Sequence, residues 1–450
     1  MATLKKILVF GTGRVTGPMY EDFSNEKGVQ VTAVSKGGPG LKQVGELCPG
    51  AKLVRLDVMK ETDSLKRLIS EHDVVVSCVP DAVIESLSLA CLAMKKSLVS
   101  VNYTVPEQTR LHQQVVDAGL TFLVDVGFRP GADHMIAKKT IDEMKSRGGE
   151  VTSYELYTSA IPTPESANNP LKYKFNWNPR KALWKYWKAS GYIKDGKTTI
   201  LPAGTATMEA VHDIGAVRDF KAEFEAVPYS FHQSYIPLYG IEKVQNMVVG
   251  SMRYKGFCAG ILSLMRLGLY NVSTHQMLVD ESQPFTWRKY MCSELGLNDD
   301  VTDEVLEAKV KDRIGESGQV EVMRSLGLLG SAEIEKRETI FDTLVCHVDK
   351  RPDFKFGPTE QDMALMNVKV AGRFKDGSTE TRRLDLTVLG DPGRHTAISK
   401  IVGRSAATAA MMVLNGEITE KGVVMPVSPE IYKPMLQRLE RKGIKFVERK

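Results

Sequence analysis

The chain begins with a glycine-rich turn whose residue types suit the binding of a pyrophosphate. An apolar run leads into Gly11 and Gly13 and then to Thr16, which gives the pattern G-x-G-x-x-T. Gly11 allows a tight turn after a strand, and Gly13 lets the backbone approach a pyrophosphate held by the N–H groups of the next helix. A third glycine is usual at the position of Thr16. The turn predicts a dinucleotide site, although the pattern alone is not specific.

The end of the next apolar run indicates which dinucleotide is bound. This run, Val29–Ser35, is followed by Lys36 and contains no acidic residue. An acidic residue there binds the ribose 2′-OH of NAD, whereas a basic one accepts the 2′-phosphate of NADP. Ser35 can donate a hydrogen bond to phosphate, and Lys36 can supply charge. NADP is therefore favoured over NAD, with a merely solvated Lys36 as the alternative.

Two side chains are candidates for proton transfer. Tyr103 ends an apolar run, where its phenol could donate a proton to a bound substrate, orient that substrate, or only stack on a nicotinamide. His232 lies in a loop, and an imidazole of near-neutral pKa can shuttle a proton, although a single loop histidine is usually inert. Asp133 follows a Pro-Gly turn and is expected to cap a helix rather than to act as an acid or base. We predict no metal site.

The elements that must position these residues alternate in type over about the first 130 residues. Fully buried parallel strands read as continuous apolar runs, with amphipathic helices between them. We predict strands at Val29–Ser35, Lys52–Val58, Asp73–Pro80, Ser97–Tyr103 and Leu120–Phe128, after the first one that precedes Gly11. Six strands with crossover helices predict an α/β fold with an N-terminal Rossmann domain, a doubly wound parallel sheet.

The rest of the chain differs in composition and no longer alternates regularly between apolar strands and helices. Strand-like segments predict a second, mixed α/β domain, and Ala259–Gly330 has the apolar spacing of helices. The predicted strands of this domain are Val151–Tyr157, Lys197–Leu201, Ala222–Ala226, Val248–Tyr254, Asn367–Phe374 and Glu380–Val388. Residues 162–182 are rich in Pro, Asn, Lys and aromatic side chains, which predicts a functional loop too polar for a core. The small residues of Ala397–Asn415 predict a helix packed tightly on the first sheet.

Length, charge and cysteine content exclude several classes of protein. A chain of 450 residues implies two or three domains, and its net charge of +5 gives little reason to expect a nucleic-acid partner. No run is expected to reach transmembrane length, and the first ten residues lead into a strand without a signal-peptide region. The six cysteines form no C-x-x-C pair and predict reduced thiols. We expect no membrane partner and a cytoplasmic location, with an organelle as the alternative.

Taken together, several motifs resemble those of the saccharopine dehydrogenase (L-glutamate-forming) family, including the C-terminal half of bifunctional aminoadipic semialdehyde synthase. The resemblance covers essentially the whole chain. NNPLKYKFNW and MRYKGF are its most specific motifs, and the others are GTGRVTGP, DVVVSCVP, VNYTVPE, PGADH, FGPTEQDM and GEITEKGVVMP.

The resemblance implies three domains and a reaction. The Rossmann domain would comprise residues 1–128 and 391–450. The α/β substrate domain would comprise 129–258 and 350–390, with a helical domain inserted at 259–349. The implied chemistry is hydride transfer between a nicotinamide and a C–N bond, in which an imine is reduced to saccharopine. The end of Val29–Ser35 already predicts Ser35 as a cofactor-binding residue, and the resemblance implies the others. The expected cofactor-binding residues are Gly11, Gly13, Arg14, Val15, Thr16, Ser35, Lys36, Cys78, Val79, Asn102, Tyr103 and Asn176.

The chain departs from the family where the substrate would bind. Arg129 replaces an aspartate, residues 158–160 replace Cys-Gly-Gly, and residues 229–232 and 249–251 each lack an arginine of the family. Because a charged hydrogen bond contributes about 1.5–3 kcal/mol, saccharopine would bind less tightly unless other cations compensate. The candidate replacements are Arg129, Arg180, Lys181, Lys185 and Lys188. The expected substrate-binding residues are Asn102, Tyr103, Phe128, Arg129, Pro130, Thr158, Ser230, Val249, Gly250 and Ser251.

We therefore hypothesise an NADPH-dependent oxidoreductase of lysine metabolism that reduces an imine. Its substrate would be a small molecule, either the saccharopine imine or a related imine with fewer carboxylates. A homodimer is compatible with the sequence. Two alternatives stay open: a non-catalytic NADP(H)-binding relative, and an alcohol or aldehyde dehydrogenase.

Overall fold

The chain folds into two compact units. The computed structural model describes residues 4–216, 222–229, 233–280, 282–315 and 318–449. The first unit comprises Met1–Thr152, Tyr235–Lys243 and Ala364–Lys450, and the second comprises Ser153–Ser234 and Val244–Met363. This division differs from the three predicted domains, whose bounds stay a prediction.

Strands and helices follow one another along most of the described chain. The strands are β1 (Lys5–Phe10), β2 (Val29–Ser35), β3 (Lys52–Arg55), β4 (Val74–Ser77), β5 (Ser97–Ser100), β6 (Thr121–Leu123), β7 (Glu150–Pro162), β8 (Ser190–Lys194), β9 (Lys197–Leu201), β10 (His212–Ala216), β11 (Glu223–Pro228), β12 (Asn246–Tyr254), β13 (Asp362–Arg373), β14 (Thr379–Leu389), β15 (Gly422–Val424) and β16 (Phe446–Arg449). The helices are α1 (Gly17–Ser24), α2 (Pro39–Leu47), α3 (Thr62–Ser70), α4 (Asp81–Ala93), α5 (Pro106–Arg110), α6 (His112–Asp117), α7 (Ala132–Ser146), α8 (Pro179–Trp184), α9 (Ala206–Glu209), α10 (Tyr235–Tyr239), α11 (Phe257–Arg266), α12 (Gln276–Val279), α13 (Trp287–Glu294), α14 (Asp303–Ile314), α15 (Val320–Ser325), α16 (Ile340–Lys350), α17 (Ala397–Leu414) and α18 (Pro429–Arg441).

The first unit is built on a seven-stranded parallel sheet. Its order is β15-β6-β5-β4-β1-β2-β3, and every neighbouring pair runs parallel. The strands β1 to β6 thus stand in the order of a Rossmann sheet. From β1 the chain adds β2 and β3 on one side and then β4, β5 and β6 on the other, so the strand order reverses between β1 and β4. The predicted α/β Rossmann architecture is confirmed. A ligand of such a sheet binds at the carboxyl ends of the strands beside that reversal.

The last part of the chain completes the first unit. β15 pairs with β6, Gly422 opposite Thr121, and α17 packs against α1 so closely that a Cβ on Gly403 would lie 2.8 Å from the backbone nitrogen of Met19. The predicted helix of small residues is therefore present. Contrary to the expectation that no run reaches transmembrane length, α17 is long and apolar enough by those criteria alone. However, 67% of it is buried inside the protein, as in a core helix.

The second unit carries a mixed sheet and most of the later helices. β10, β11 and β12 are antiparallel neighbours, and β12 pairs with β7 in parallel. β8 and β9 form a hairpin beside β12. The helices α11 to α15 span the segment that the apolar spacing predicts to be helical.

The prediction that residues 162–182 are too polar for a core is wrong. Many of these residues are buried because their polar groups bond within the unit. The Nδ2 of Asn169 donates to the carbonyls of Tyr173 and Asp353, while its Oδ1 accepts from two backbone amides. The buried Lys174 forms an ion pair of 2.7 Å with Glu360. Burial of a polar group is tolerated when it finds such partners.

Candidate active site

The turn after β1 has the shape that a pyrophosphate requires. Gly11 has a φ of +116°, and a Cβ there would lie 2.5 Å from the carbonyl oxygen of Cys78. Glycine is thus needed at this position by both conformation and space. A Cβ on Gly13 would meet nothing within 4 Å, so the backbone at Gly13 borders open space. The two glycines thus differ, because the fold requires the first whereas the second borders open space.

Thr16 replaces the third glycine without opening the structure. Its side chain is buried, and its Oγ1 donates a hydrogen bond of 2.9 Å to the carbonyl of Gly13. The close helix contact that a third glycine usually provides occurs one residue later, because a Cβ on Gly17 would lie 2.8 Å from the ring of His395. The Tyr20 hydroxyl also donates to the carbonyl of Gly11, at 2.8 Å. Arg14 and Val15 lie between Gly13 and Thr16 in the turn.

The loop after β2 carries cations where a 2′-phosphate would bind. The amide of Gly37 donates to the Ser35 hydroxyl at 3.5 Å, and Lys36 is mostly exposed, with its Nζ 3.4 Å from Asp57. Arg55, at the end of β3, donates from Nε to the Lys36 carbonyl at 3.0 Å. The backbone amide of Met59 and the Lys36 ammonium lower the pKa of Asp57. Arg55 is a second cation that the sequence analysis missed, although its position at a strand end was a usable signal.

The carboxyl ends of β4 and β5 meet at the same edge of the sheet. Cys78 follows β4 and is partly accessible, yet burial raises the pKa of its thiol to about 12, so it remains protonated. Val79, next along, is half-buried and packs on the core of the sheet. Asn102 follows β5 and donates from Nδ2 to Asp81 at 3.1 Å. Tyr103 beside it is 37% exposed.

Several polar atoms at this edge are left without a partner. Among the described residues, Oγ of Ser77, Oγ of Ser100 and Oδ1 of Asn102 are buried without a hydrogen-bond partner. Ser77 and Ser100 are the paired last residues of β4 and β5. Unpaired buried polar atoms are rare in proteins. Together with the open space at Gly13, they show that the residues present suit a dinucleotide.

The turn that carries Arg129 is fixed by buried polar groups. Phe128 and Pro130 are buried and Arg129 is half-buried. A Cβ on Gly131 would lie 2.4 Å from the backbone of Gly127, so this glycine is required. Asp133 lies in the first turn of α7, whose cap residue is Gly131, and its Oδ1 accepts from the Gly131 amide at 2.6 Å. The carboxylate thus bonds at the helix start, although Asp133 is not the cap residue itself.

The second unit brings together the predicted substrate-binding residues of two neighbouring strands. Ser251 of β12 stands opposite Thr158 of β7, and Gly250 stands opposite Tyr157. Thr158, Val249 and Ser251 are buried, and a Cβ on Gly250 would lie 2.7 Å from the Tyr157 ring.

Two cations lie against these strands. The Nζ of Lys185 donates to the Ser251 hydroxyl at 3.3 Å and lies 4.9 Å from the centre of the Tyr229 ring. The buried Arg253 donates to the Ser159 hydroxyl at 3.1 Å. Both cations also lie over Tyr186, at 4.8 and 5.7 Å, and burial raises the pKa of that phenol well above its ordinary value. The Tyr186 phenol therefore stays uncharged beside the two cations. Lys185 was one of the predicted replacement cations, whereas Arg253 was missed.

Three further predicted site residues are Ser230, His232 and Asn176. His232 and Ser230 are outside the described residues. Asn176 belongs to the second unit, is buried, and donates from Nδ2 to Asp362 at 3.1 Å. Its Oδ1 is buried without a partner among the described residues. The roles of all three stay predictions.

Comparison with known protein families agrees with this geometry. Residues 7–123 match the saccharopine dehydrogenase NADP binding domain, and residues 127–444 match the saccharopine dehydrogenase C-terminal domain. The chain belongs to the saccharopine dehydrogenase family. The predictions of this family and of NADP as the cofactor are confirmed.

Individual relatives of this saccharopine dehydrogenase family protein extend over the whole chain. The chain is 33% identical over 447 residues to the mitochondrial alpha-aminoadipic semialdehyde synthase of Rattus norvegicus. The aligned part covers 99% of this chain but only 48% of the rat protein. The chain thus spans about half the length of the first curated relatives. It is also 31% identical to the saccharopine dehydrogenase [NADP(+), L-glutamate-forming] of Pyricularia oryzae, over 100% of this chain and 99% of that one. The apo saccharopine dehydrogenase (L-Glu forming) of Saccharomyces cerevisiae superposes with a TM-score of 0.89 at 28% identity and covers 99% of both chains.

Proposed function

We propose that the chain transfers a hydride between NADP(H) and the C–N bond of an amino-acid-derived substrate that carries at least one carboxylate. The reaction is either that of saccharopine or the reduction of a related imine with fewer carboxylates. The observation that carries the proposal is the pair of cations, Lys185 and Arg253, beside the hydroxyls of Ser251 and Ser159. Cations and hydroxyl donors of this kind bind carboxylates.

The residues of the first unit would bind and orient the cofactor. The amides of the turn at Gly11–Thr16 and the start of α1 would hold the pyrophosphate, while Lys36 and Arg55 would hold the 2′-phosphate. When bound, the reduced nicotinamide supplies the hydride. The Tyr103 phenol, exposed at the end of β5, would donate a proton to the substrate nitrogen or orient it. The high pKa of the Cys78 thiol keeps it from acting as a competing nucleophile.

The cation pair also bears on which substrate is bound. The chain lacks two arginines that the family resemblance implies. Lys185 and Arg253 still supply positive charge beside Ser251 and Ser159, and Arg253 belongs to the motif MRYKGF that the chain shares with the family. Loss of one charged hydrogen bond would weaken binding by about 1.5–3 kcal/mol, or about 10- to 150-fold. This supports a substrate that still carries a carboxylate, rather than a wholly apolar imine.

The test is NADPH oxidation by the purified protein with aminoadipate semialdehyde plus glutamate, beside a panel of cyclic imines with and without a carboxylate. We expect turnover only with carboxylate-bearing imines. The Lys185→Met variant keeps the apolar stem of the side chain and should raise the substrate KM about 10-fold or more. Lys194→Met, at an exposed position of β8, is the matched control. Tight NADPH binding without turnover of any substrate would instead support a non-catalytic relative.

We also propose that the protein works in a reducing compartment, with the cytoplasm favoured over an organelle. All six cysteines are free thiols, four of them buried. Apart from its small-molecule substrate and cofactor, its partners and its assembly as a homodimer stay predictions.

A further inference from the structure

A series of polar groups connected by short contacts, most of them buried, begins at Thr104, the residue after Tyr103, in the first unit. Thr104 donates from its backbone amide and its hydroxyl to Oδ1 of Asp125, at 2.7 and 2.9 Å. The other oxygen, Oδ2, lies 3.4 Å from Nε2 of His134. The second ring nitrogen of His134 lies 2.8 Å from the Tyr239 hydroxyl of α10. Four side chains thus connect the segment after β5 to α7 and α10.

Holding these side chains in place costs free energy, through a strained backbone at Asp125 and through buried ionisable groups. Asp125 has a φ of +57°, a conformation that residues other than glycine rarely adopt. Asp125, Asp133 and His134 are all buried, and buried ionisable groups are expensive unless they are paired. Strained backbone and buried charge persist together mainly where geometry matters for function.

We propose that His134 is a positioning residue for Tyr103. Its imidazolium holds the Asp125 carboxylate against the amide and hydroxyl of Thr104, and loss of its proton loosens the Tyr103–Thr104 segment. The inference rests on the role proposed for Tyr103 above. It requires no contact between His134 and either the substrate or the cofactor.

The charges around His134 set the direction of the pH dependence. Burial lowers the pKa of His134, but the carboxylates of Asp133 and Asp125 outweigh it and raise the pKa above the usual 6.5, against a smaller opposing effect of Arg129. The remaining facing groups are the phenols of Tyr235 and Tyr239 on α10. A raised pKa means that the imidazolium is present at low and neutral pH and is lost as the pH rises through the folded-state value.

Hydrogen exchange tests the proposal without any substrate. The Thr104 amide, protected by Asp125, is followed by mass spectrometry in the wild type, His134→Gln and His134→Ala. At pH 6.5 we expect His134→Ala to exchange this amide about tenfold faster or more, and His134→Gln to stay close to the wild type. Wild-type exchange, corrected for the intrinsic rate, should rise between pH 6.5 and 9. His72→Gln is the control, because His72 is also buried and hydrogen-bonded, to Thr32, and should leave the Thr104 amide unchanged.

Steady-state kinetics separates positioning from simple stability. His134→Ala should lower kcat by about tenfold and keep the NADPH KM within about twofold. His134→Gln should recover most of the lost kcat but lack the decline of wild-type kcat at high pH. Equal Thr104 exchange in folded His134→Ala and wild type, or an unchanged high-pH decline of kcat in His134→Gln, would overturn the proposal. Because exchange needs no turnover, it still gives an answer if the proposed reaction itself proves wrong.

Discussion

Alanine substitutions at the two glycines of the dinucleotide turn should separate folding from cofactor binding. A Cβ at Gly13 meets nothing within 4 Å, whereas a Cβ at Gly11 would lie 2.5 Å from a backbone oxygen, at a φ of +116°. Gly13→Ala should therefore fold normally and obstruct only a ligand. Gly11→Ala should destabilise the protein itself.

The sizes of the two effects follow from these contacts. A methyl group at Gly13 would push a pyrophosphate away from at least one backbone amide, and one charged hydrogen bond is worth about 1.5–3 kcal/mol. The Kd for NADPH should rise about 10- to 150-fold. At Gly11, backbone strain of about 1–3 kcal/mol adds to overpacking of about 1–3 kcal/mol. The Tm without cofactor should fall by roughly 5 °C or more.

The assays are a fluorescence titration with NADPH and thermal unfolding without cofactor, on the wild type and both variants. Gly13→Ala should keep the wild-type Tm within about 1 °C while losing affinity. Wild-type NADPH affinity in Gly13→Ala would refute the assignment of the open space at Gly13 to the pyrophosphate. A large loss of Tm in Gly13→Ala would refute the separation of the two roles.

Three further outcomes are expected. Lys36→Ala should raise the Kd for NADP about tenfold without changing the Kd for NAD, measured by the same titration, because only NADP carries the 2′-phosphate; an equal effect on both would contradict this. Cys78 should resist iodoacetamide at pH 8 in the folded protein, by peptide mass spectrometry, since its thiol pKa is about 12, and should react once the protein is unfolded. Burial raises the pKa of Glu360, but hydrogen bonds from the Gly357 amide, Lys174 and Asn168 lower it by more, so that the pKa lies below the usual 4.5. The stability that Glu360 contributes should thus be lost as the pH falls through its folded-state pKa, and urea unfolding of Glu360→Gln should lack this component.

The elements of the first sheet could be predicted because each strand is marked locally. Buried parallel strands are apolar throughout, so Val29–Ser35 was predicted at its observed bounds. β8 was missed, although its turn carried a signal. Asp195 and Gly196 between β8 and β9 both have positive φ, of 49° and 73°, as a two-residue Asp-Gly hairpin turn requires. The polar segment 162–182 was misjudged because some of its hydrogen-bond partners lie far away in the sequence: Asp353 is 184 positions from Asn169, and Glu360 is 186 positions from Lys174.

The candidate site was predictable only where it follows from one local motif. The turn at Gly11–Thr16 and the residues at strand ends were found in this way. The contacts Lys185–Ser251 and Arg253–Ser159 join residues 66 and 94 positions apart, and the bond between His134 and Tyr239 spans 105 positions. Which cation or histidine reaches which strand depends on tertiary packing, and no spacing in the sequence contains that information.

The return of the chain to the first sheet has a consequence for biosynthesis. β15 lies beside β6, yet about 300 residues separate them. At a synthesis rate of roughly 5–20 residues per second, the edge of β6 remains uncovered for about 15–60 s. The α1 surface that later receives α17 remains uncovered for about 20–75 s. The nascent chain thus exposes an unpaired strand and an apolar surface until residues 397–424 have left the ribosome. Closure of the dinucleotide-binding unit therefore follows synthesis of the second unit, and chaperones have most to protect before it.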